Sequence, residues 1–320
     1  MAIELARTRI VPKPWGVGEL RPWSEFAHDG QSVGEICYER SSQGGSEPAL
    51  LLKILLTSQP LSIQVHPDDA VARAMGLPNG KSEAWCILSA APGAQVALGL
   101  KQAISAQQLR SAIGDGSISG LVAWRGVAAG ETVDVPAGTI HAIGAGLVIA
   151  EIQQRSDTTF RLFDHGRGRE IHLEAALASA STEPVSAAAA PDRLSSERTL
   201  LASNRHFVFE RIELAPESTW CLEAGRETWL LVLDGAARAD DFDVAQGNAL
   251  FAQSDRVRLR VGASGVVCLV AYTGDGGPVR ELLQQLDEPA KRAVLQTIAM
   301  PMPPRVARTR GASSPMGTIR

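Results

Sequence analysis

Short strand-like segments, separated by glycine, proline and polar breaks, recur along most of this chain and restrict its fold more than any other feature. Within them, apolar residues alternate with polar ones or form brief continuous runs. The first series begins at Ala49, Leu61, Glu83, Ala94, Glu131, Leu147 and Thr158, and the second at His206, Thr228, Val257 and Gly265. Closely spaced segments of this kind are typical of antiparallel sandwiches and barrels. We therefore predict a mainly β fold with few helices.

The segments between these strands indicate how the chain is divided. Helices are predicted after the Ser105 cap, near His172 and from Val279. Residues 181–197 are rich in alanine, serine and proline and lack a strand pattern, which indicates a linker. Residues 301–320 combine proline, glycine and arginine with little apolar content, and we predict that they are disordered.

Composition and charge restrict the kinds of molecule that this chain is expected to bind. The chain has 320 residues, 45% of them hydrophobic, which is enough to bury a large core. A formal net charge of -4 does not indicate a basic surface for nucleic acid or for an acidic membrane. The four cysteines are dispersed and lack CxxC spacing, which favours a reducing compartment. The N-terminal residues carry charges that a signal peptide would not have in its apolar stretch, and no apolar run reaches transmembrane length. We therefore predict a cytoplasmic protein. The oligomeric state is left open, with a monomer as the simplest case.

Four polar side chains form a candidate metal site. Gln64 and His66 are two positions apart on one predicted strand and therefore share a face, Glu83 begins another strand, and His141 follows a turn. Two imidazoles, a carboxylate and an amide oxygen suit a borderline divalent ion, with zinc favoured and a position left for water or substrate. Taken singly, His66 would more often be a structural histidine and Glu83 a surface ion-pair partner of Lys81.

The acidic pair beside His66 has a structural interpretation. Asp68 and Asp69 follow Pro67 and precede a predicted helical turn. An aspartate is a preferred N-cap, and a second acid in the first turn faces the positive end of the helix. We interpret the pair as a helix cap.

The spacing around His141 resembles the second motif of the cupin barrels, which are jelly-roll folds. Gly130, five residues, Pro136-Ala137-Gly138, two residues and His141 match that motif, and the glycine and proline positions predict a tight turn. The first cupin motif is met in modified form by Gln64, His66 and Glu83. The resemblance implies tandem cupin (jelly-roll) barrels.

Longer motifs resemble the type I phosphomannose isomerases (mannose-6-phosphate isomerases), in their short bacterial form. The resemblance covers roughly residues 10–175 and rests on "KPWG", "PLSIQVHPDD", "NGKSEAW", "VPAGTIHAIGAG" and "EIQQRSDTTFRLFDHGR". It implies one zinc ion per chain, held by Gln64, His66, Glu83 and His141, with Arg161 as the active-site arginine. It also implies the reversible isomerisation of mannose 6-phosphate and fructose 6-phosphate, which joins hexose metabolism to GDP-mannose supply.

An aldose–ketose isomerase must polarise a carbonyl, move one proton through an enediol or enediolate and anchor the sugar. Arg161 suits an oxyanion or a phosphate, and Lys81 is placed to reach substrate oxygens. Glu151 and Asp157 precede Arg161 by ten and four residues and could orient it or transfer protons. The sequence has no glycine-rich phosphate loop, so Ser62, Lys81 and Arg161 are the phosphate candidates. The base is not identified.

Two features depart from the family pattern. Ser82 stands between Lys81 and Glu83, where relatives of the longer form have proline, and the tail after about Pro301 corresponds to none of the family motifs. Neither removes a metal ligand. Substrate preference is therefore less constrained than metal binding.

The two series of strands also indicate a degenerate repeat. The segment from Gly130 can be laid beside the segment from Gly247, with His141 matched by Arg258, so the second copy keeps no metal chemistry. We predict a catalytic zinc-binding domain at 1–182, a metal-free cupin-like domain at 198–276, a helical segment at 277–300 and a disordered tail at 301–320. The alternatives are a non-catalytic sugar-phosphate-binding cupin and a metal cupin enzyme of different chemistry.

Overall fold

The computed structural model describes residues 3–25, 30–42, 46–185, 190–274 and 277–286. The strands are β1 Ile3–Leu5, β2 Arg7–Val17, β3 Val33–Glu39, β4 Leu50–Thr57, β5 Ile63–Val65, β6 Glu83–Ala90, β7 Gln95–Leu100, β8 Val122–Gly126, β9 Thr132–Val135, β10 His141–Ile143, β11 Leu147–Gln154, β12 Phe160–Phe163, β13 Asp192–Arg193, β14 Arg198–Ser203, β15 Phe207–Leu214, β16 Thr219–Ala224, β17 Thr228–Ala239, β18 Phe242–Ala245, β19 Ala249–Ala252, β20 Asp255–Thr273 and β21 Leu283–Gln285. The helices are α1 Asp69–Ala74, α2 Ala106–Asp115, α3 Ile118–Leu121 and α4 Leu173–Ser179.

These strands form three sheets within the described residues. A six-stranded sheet has the order β2-β3-β4-β11-β6-β9, and a five-stranded sheet has the order β12-β5-β10-β7-β8. The third sheet has ten strands along the path β1-β19-β17-β20-β15-β14-β13, with β16, β18 and β21 attached to it. Strands account for 49% of the described residues, so the predicted mainly β class is confirmed.

The six-stranded sheet is buried on both faces. On one face, residues such as Leu52 and Ile54 pack against the ten-stranded sheet at Phe207 and Trp229. On the other face, Trp85 and its neighbours join residues of the five-stranded sheet in a second core. The six-stranded and five-stranded sheets thus enclose the interior of an N-terminal barrel. Helices α2 and α4 pack on the outer face of the five-stranded sheet.

Two of the predicted helices are confirmed. Ser105 accepts a hydrogen bond from the Gln108 backbone, and the Gln108 side chain bonds the Ser105 backbone in return, which completes a capping box at the start of α2. Helix α4 begins directly after His172. None of the described helices has the length and apolarity needed to cross a bilayer.

The helix predicted from Val279 is wrong over its first residues. Residues Leu283–Gln285 form β21, which pairs antiparallel with β16. The buried Arg198 guanidinium donates to the Val279 and Arg280 carbonyls, and the Val279 N–H donates to the Tyr272 hydroxyl. Backbone groups that would form hydrogen bonds within a helix are therefore bonded to side chains of the ten-stranded sheet. Residues 287–320, including the predicted tail, lie outside the described residues.

The domain boundaries predicted from the sequence differ from the structure at one end. Strand β1 pairs with β19, so Ile3–Leu5 belong to the ten-stranded sheet rather than to the first domain. The described residues up to Gln285 form one compact unit. The division of this unit into a catalytic and a degenerate domain stays a prediction.

Candidate metal centre and active site

A tight turn delivers His141 to the interior of the N-terminal barrel. Thr139 N–H donates to the Pro136 carbonyl over 3.1 Å, and Gly138 has a φ of 88°, which favours glycine. The Gly138 N–H also donates to the His66 carbonyl over 2.8 Å and ties this turn to the strand that carries the other histidine. The turn predicted from the PxGxxH spacing is confirmed.

His66, Glu83 and His141 converge in the barrel and are each 1% exposed. Their ligand atoms all lie within 4.8 Å of one another. Glu83 Oε1 is 3.3 Å from His141 Nε2, and Glu83 Oε2 is 3.5 Å from His66 Nε2. Neighbouring ligands of a tetrahedral ion with bonds of about 2.0–2.1 Å are separated by similar distances. The three donors therefore fit a divalent cation.

Backbone carbonyls orient both imidazoles toward this centre. His66 Nδ1 donates to the Thr158 carbonyl over 2.8 Å, and His141 Nδ1 donates to the Thr139 carbonyl over 2.9 Å. Each ring therefore carries its proton on Nδ1 and directs the Nε2 lone pair into the space between the three donors. Burial lowers the pKa of His141 to about 4, and burial together with the nearby Lys81 charge lowers the pKa of His66 well below its usual range.

Gln64 lies directly opposite His141 in the sheet register, and its Nε2 donates to His141 Nε2 over 3.2 Å. Ser62 Oγ donates to Gln64 Oε1 over 3.1 Å. Rotating the amide by half a turn would present Oε1 to the centre, and the Ser62 hydroxyl can accept the amide N–H in that orientation. Gln64 thus fits the predicted ligand position, and Ser62 supports it.

The Lys81 ammonium lies against the same donors. It bonds Glu83 Oε2 and lies 3.0 Å from His66 Nε2, and Lys81 is 5% exposed. A buried carboxylate requires a partner of opposite charge, and here Lys81 supplies it. The Lys81 ammonium therefore balances the negative charge of Glu83 in this donor set.

Asp69 positions the loop that carries Lys81, a role not predicted from the sequence. The Asp68 carboxylate accepts from Val71 N–H over 2.8 Å, so the predicted N-cap is confirmed. Asp69 Oδ1 instead accepts from Gly80 N–H over 2.9 Å and from Gln154 Nε2 over 3.0 Å. A Cβ on Gly80 would meet the Asp68 backbone at 2.6 Å, so glycine permits this close approach.

Lys53 is a second buried cation in the barrel interior, and the sequence analysis missed it. It is 8% exposed and lies opposite Glu151 in the pairing of β4 and β11. Burial alone would lower the pKa of Lys53, but the Glu151 and Glu35 carboxylates outweigh burial and raise it. The single charge within "LLLKILL" was the available signal, because lysine is rarely buried without a partner.

Glu151 is 4% exposed and accepts from Trp85 Nε1 over 3.2 Å. Burial and the neighbouring Glu83 charge raise the pKa of Glu151 to about 7, against the opposing charges of Lys81 and Lys53. The structure brings Glu151 into the barrel interior beside the metal donors, so this carboxyl can exchange a proton near neutral pH.

Arg161, on β12, lies opposite Gln64 of β5. Because β5 lies between β12 and β10, Arg161 is on the side of the metal donors away from His141. Its Nη1 donates to the Glu170 carbonyl over 2.9 Å. Its Nε is buried and has no hydrogen-bond partner among the described residues. Asp157 is 83% exposed, with Oδ1 3.4 Å from Lys53 Nζ. It therefore lies at the rim of the barrel rather than beside the metal donors.

Asp164 anchors the loop that follows Arg161. It accepts from Arg167 Nη2 over 2.9 Å and from Arg169 Nε over 2.8 Å, and Arg167 Nη1 also donates to the Pro60 carbonyl over 2.8 Å. Burial alone would raise the pKa of Asp164, but hydrogen bonds from Arg169 and Arg167 lower it to about 2. This cluster ties the end of β12 to the residues that precede β5.

A cavity of about 740 Å³ opens on the side of the barrel that carries Lys53 and Asp157, and its lining does not include His66, Glu83 or His141. Lys53, Asp157 and Thr158 line its inner side, and residues of β2 and β3 line its outer side. A volume of this size is in the usual range for small-molecule sites.

No protein-family model matches this chain. A curated mannose-6-phosphate isomerase from Streptococcus mutans is 44% identical over 131 residues, which are 39% of this chain and 41% of that protein. The matched segment thus spans less than half of the curated relative.

Solved structures match over a greater length. The mannose 6-phosphate isomerase from Bacillus subtilis superimposes with a TM-score of 0.75 at 20% identity, covering 85% of this chain and 100% of that chain. The resemblance to the mannose-6-phosphate isomerases is confirmed. A zinc-bound mannose 6-phosphate isomerase matches with a TM-score of 0.67 at 16% identity, covering 86% of this chain and 100% of that chain. At these identities the structural matches establish the mannose-6-phosphate isomerase fold alone.

Proposed function

We propose that this chain is a zinc-dependent isomerase that interconverts mannose 6-phosphate and fructose 6-phosphate. The observation that carries the proposal is the buried cluster of His66, Glu83 and His141, with Lys81 against it, inside a barrel of the mannose-6-phosphate isomerase fold. The local sequence similarity to a named mannose-6-phosphate isomerase supports the choice of substrate.

Gln64, His66, Glu83 and His141 would hold one zinc ion per chain. Both histidines offer neutral Nε2 lone pairs, Glu83 supplies the negative charge, and a zinc-bound relative has the same fold. When bound, zinc supplies Lewis acidity toward substrate oxygen atoms.

The residues of the chain would perform the remaining steps. Glu151 moves the proton between C2 and C1 through the enediol(ate), because its carboxyl is buried beside the donors and has a pKa of about 7. Lys81 donates to a substrate hydroxyl or carbonyl oxygen once it has left Glu83. Arg161 stabilises developing negative charge through its unpaired Nε–H. Asp157 orients Lys53 at the rim of the cavity.

The proposed reaction joins hexose metabolism to the supply of GDP-mannose, with the cytoplasm as its compartment. A metal cupin of other chemistry would use a different donor set, such as the three histidines typical of iron sites. A non-catalytic cupin would bind sugar phosphate without turnover.

A coupled assay distinguishes the three hypotheses: the isomerase, the non-catalytic cupin and the metal cupin of other chemistry. Zinc-loaded protein should convert mannose 6-phosphate to fructose 6-phosphate, lose this activity with a chelator and regain it with zinc. Binding of sugar phosphate without conversion would favour the non-catalytic cupin. Failure to bind any sugar phosphate would favour other metal chemistry.

A further inference from the structure

The ten-stranded sheet repeats the strand order of the N-terminal barrel. The order β3-β4-β11-β6-β9 of the six-stranded sheet recurs as β14-β15-β20-β17-β19. In the same way, β16 pairs with both β20 and β21, as β5 pairs with both β10 and β12. The strands of the ten-stranded sheet therefore enclose a second barrel interior, which an apolar core fills.

The register identifies the end of the second barrel that corresponds to the metal donors. In the N-terminal barrel, Glu83 begins β6 and lies opposite Gln153 of β11. In the second barrel, Thr228 begins β17 and lies opposite Tyr272 of β20. Two hydroxyl groups thus replace a carboxylate and an amide at this end, which we call the mouth of the second barrel.

A buried ion pair lies at corresponding positions in the two barrels, with its charges exchanged. Lys53, the fourth residue of β4, lies 4.0 Å from Glu35 of β3. Glu210, the fourth residue of β15, accepts from Arg198 Nε and Nη2 of β14, over 2.8 Å each. The Tyr272 hydroxyl donates to Glu210 Oε1 over 2.6 Å. The carboxylate of the second barrel is therefore fully engaged by neighbouring side chains.

The other donors and acceptors of this network bind residues 279–285, which we call the strap. The Arg198 guanidinium donates to the carbonyls of Val279 and Arg280, over 2.8 and 2.9 Å. The Tyr272 hydroxyl accepts from the Val279 N–H over 3.0 Å. The network thus recognises the backbone of the strap rather than its side chains.

The strap also covers the apolar core at the mouth. Leu282 is 1% exposed and belongs to this core, and Val279 and Leu283 pack against it. The Leu282 carbonyl accepts from the Glu223 N–H over 2.8 Å, just before β21 pairs with β16. Apolar burial and backbone pairing therefore hold the strap in the same position as the network does.

We propose that Arg198, Glu210 and Tyr272 form a clasp that holds the strap across the mouth of the second barrel. The chain thereby closes its own second barrel at the end where the N-terminal barrel holds its metal donors. A buried guanidinium that lost the strap carbonyls would keep N–H groups without acceptors, which favours the closed position. This inference does not depend on the proposed reaction.

The test measures amide hydrogen exchange in the full-length double variant Arg198→Met/Glu210→Gln. This change removes the clasp without leaving a buried unpaired charge, and the glutamine can still accept from the Tyr272 hydroxyl. Exchange across residues 279–285 should become at least about tenfold faster, while β17 and β20 stay within about twofold of the wild type. Trypsin cleavage after Arg280, identified by mass spectrometry, should accelerate in parallel.

Arg211→Gln/Glu213→Gln is the matched control. It removes an ion pair of 2.7 Å from the same strand, β15, at the surface, so exchange in the strap should not change. Tyr272→Phe keeps the buried ion pair and removes only the acceptor of the Val279 N–H. It should accelerate exchange in the strap about threefold and tests the clasp even if the double variant does not fold.

Two results would overturn the clasp. One is exchange in the strap that stays at the wild-type rate in Tyr272→Phe and in the folded double variant. The other is exchange that accelerates equally in the strap, β17 and β20, because the network would then stabilise the whole barrel rather than the strap.

Discussion

Replacing Glu83 by glutamine removes one buried negative charge and nearly no volume. Glu83 and Lys81 are 1% and 5% exposed, so in the metal-free protein this change leaves the Lys81 ammonium buried without its partner. Removal of one member of a buried ion pair costs about 3–5 kcal/mol. Glu151 also lies near Lys81 and can compensate part of its charge, so we expect a cost at the lower end of this range. We expect a loss of about 3 kcal/mol, or roughly 6 °C in melting temperature.

The assay is denaturant unfolding of chelator-treated protein, combined with metal analysis after zinc loading. Glu83→Gln should also weaken zinc binding more than about a hundredfold. The double variant Lys81→Met/Glu83→Gln should recover most of the lost stability but no zinc, since it removes the unpaired charge without restoring a ligand. Glu213→Gln is a control, because Glu213 pairs with Arg211 at the surface, where such pairs contribute up to about 1 kcal/mol. An unfolding free energy of metal-free Glu83→Gln within about 1 kcal/mol of the wild type would refute the pairing of Lys81 with Glu83.

Other substitutions separate the roles of the remaining residues. His141→Ala should lose zinc and activity together, whereas Arg161→Ala should keep zinc, measured by metal analysis, and lose turnover. Asp69→Ala should lower kcat about tenfold with zinc retained, because Asp69 holds the Lys81 loop through Gly80 N–H. Asp164 has a pKa of about 2, below its unfolded value, so it stabilises the fold above about pH 4 and loses this effect as the pH falls toward 2. Asp164→Asn should therefore cost about 2 kcal/mol at pH 7 and less at pH 3 in urea unfolding.

Local patterns in the sequence were sufficient for ten of the described strands, the capped helix α2 and the turn before His141. Each depends on near neighbours: a period of two, a serine–glutamine capping box, and a glycine at a positive φ. The metal donors were also predicted from motif spacing, and the structure brings His66, Glu83 and His141 together. Their role in binding zinc stays a proposal.

Only the tertiary structure decided which distant side chains share the barrel interior. Strand β4 is buried on both faces, so its sequence does not alternate, and the inward direction of Lys53 depends on its register with Glu151. Asp69 acts through Gly80 and Gln154, which are far from it in sequence. After Val279, the hydrogen bonds from Arg198 and the pairing of β21 with β16 likewise outweigh the helical pattern of the sequence. Long-range pairing sets these contacts, and a single sequence does not encode that pairing in any local period.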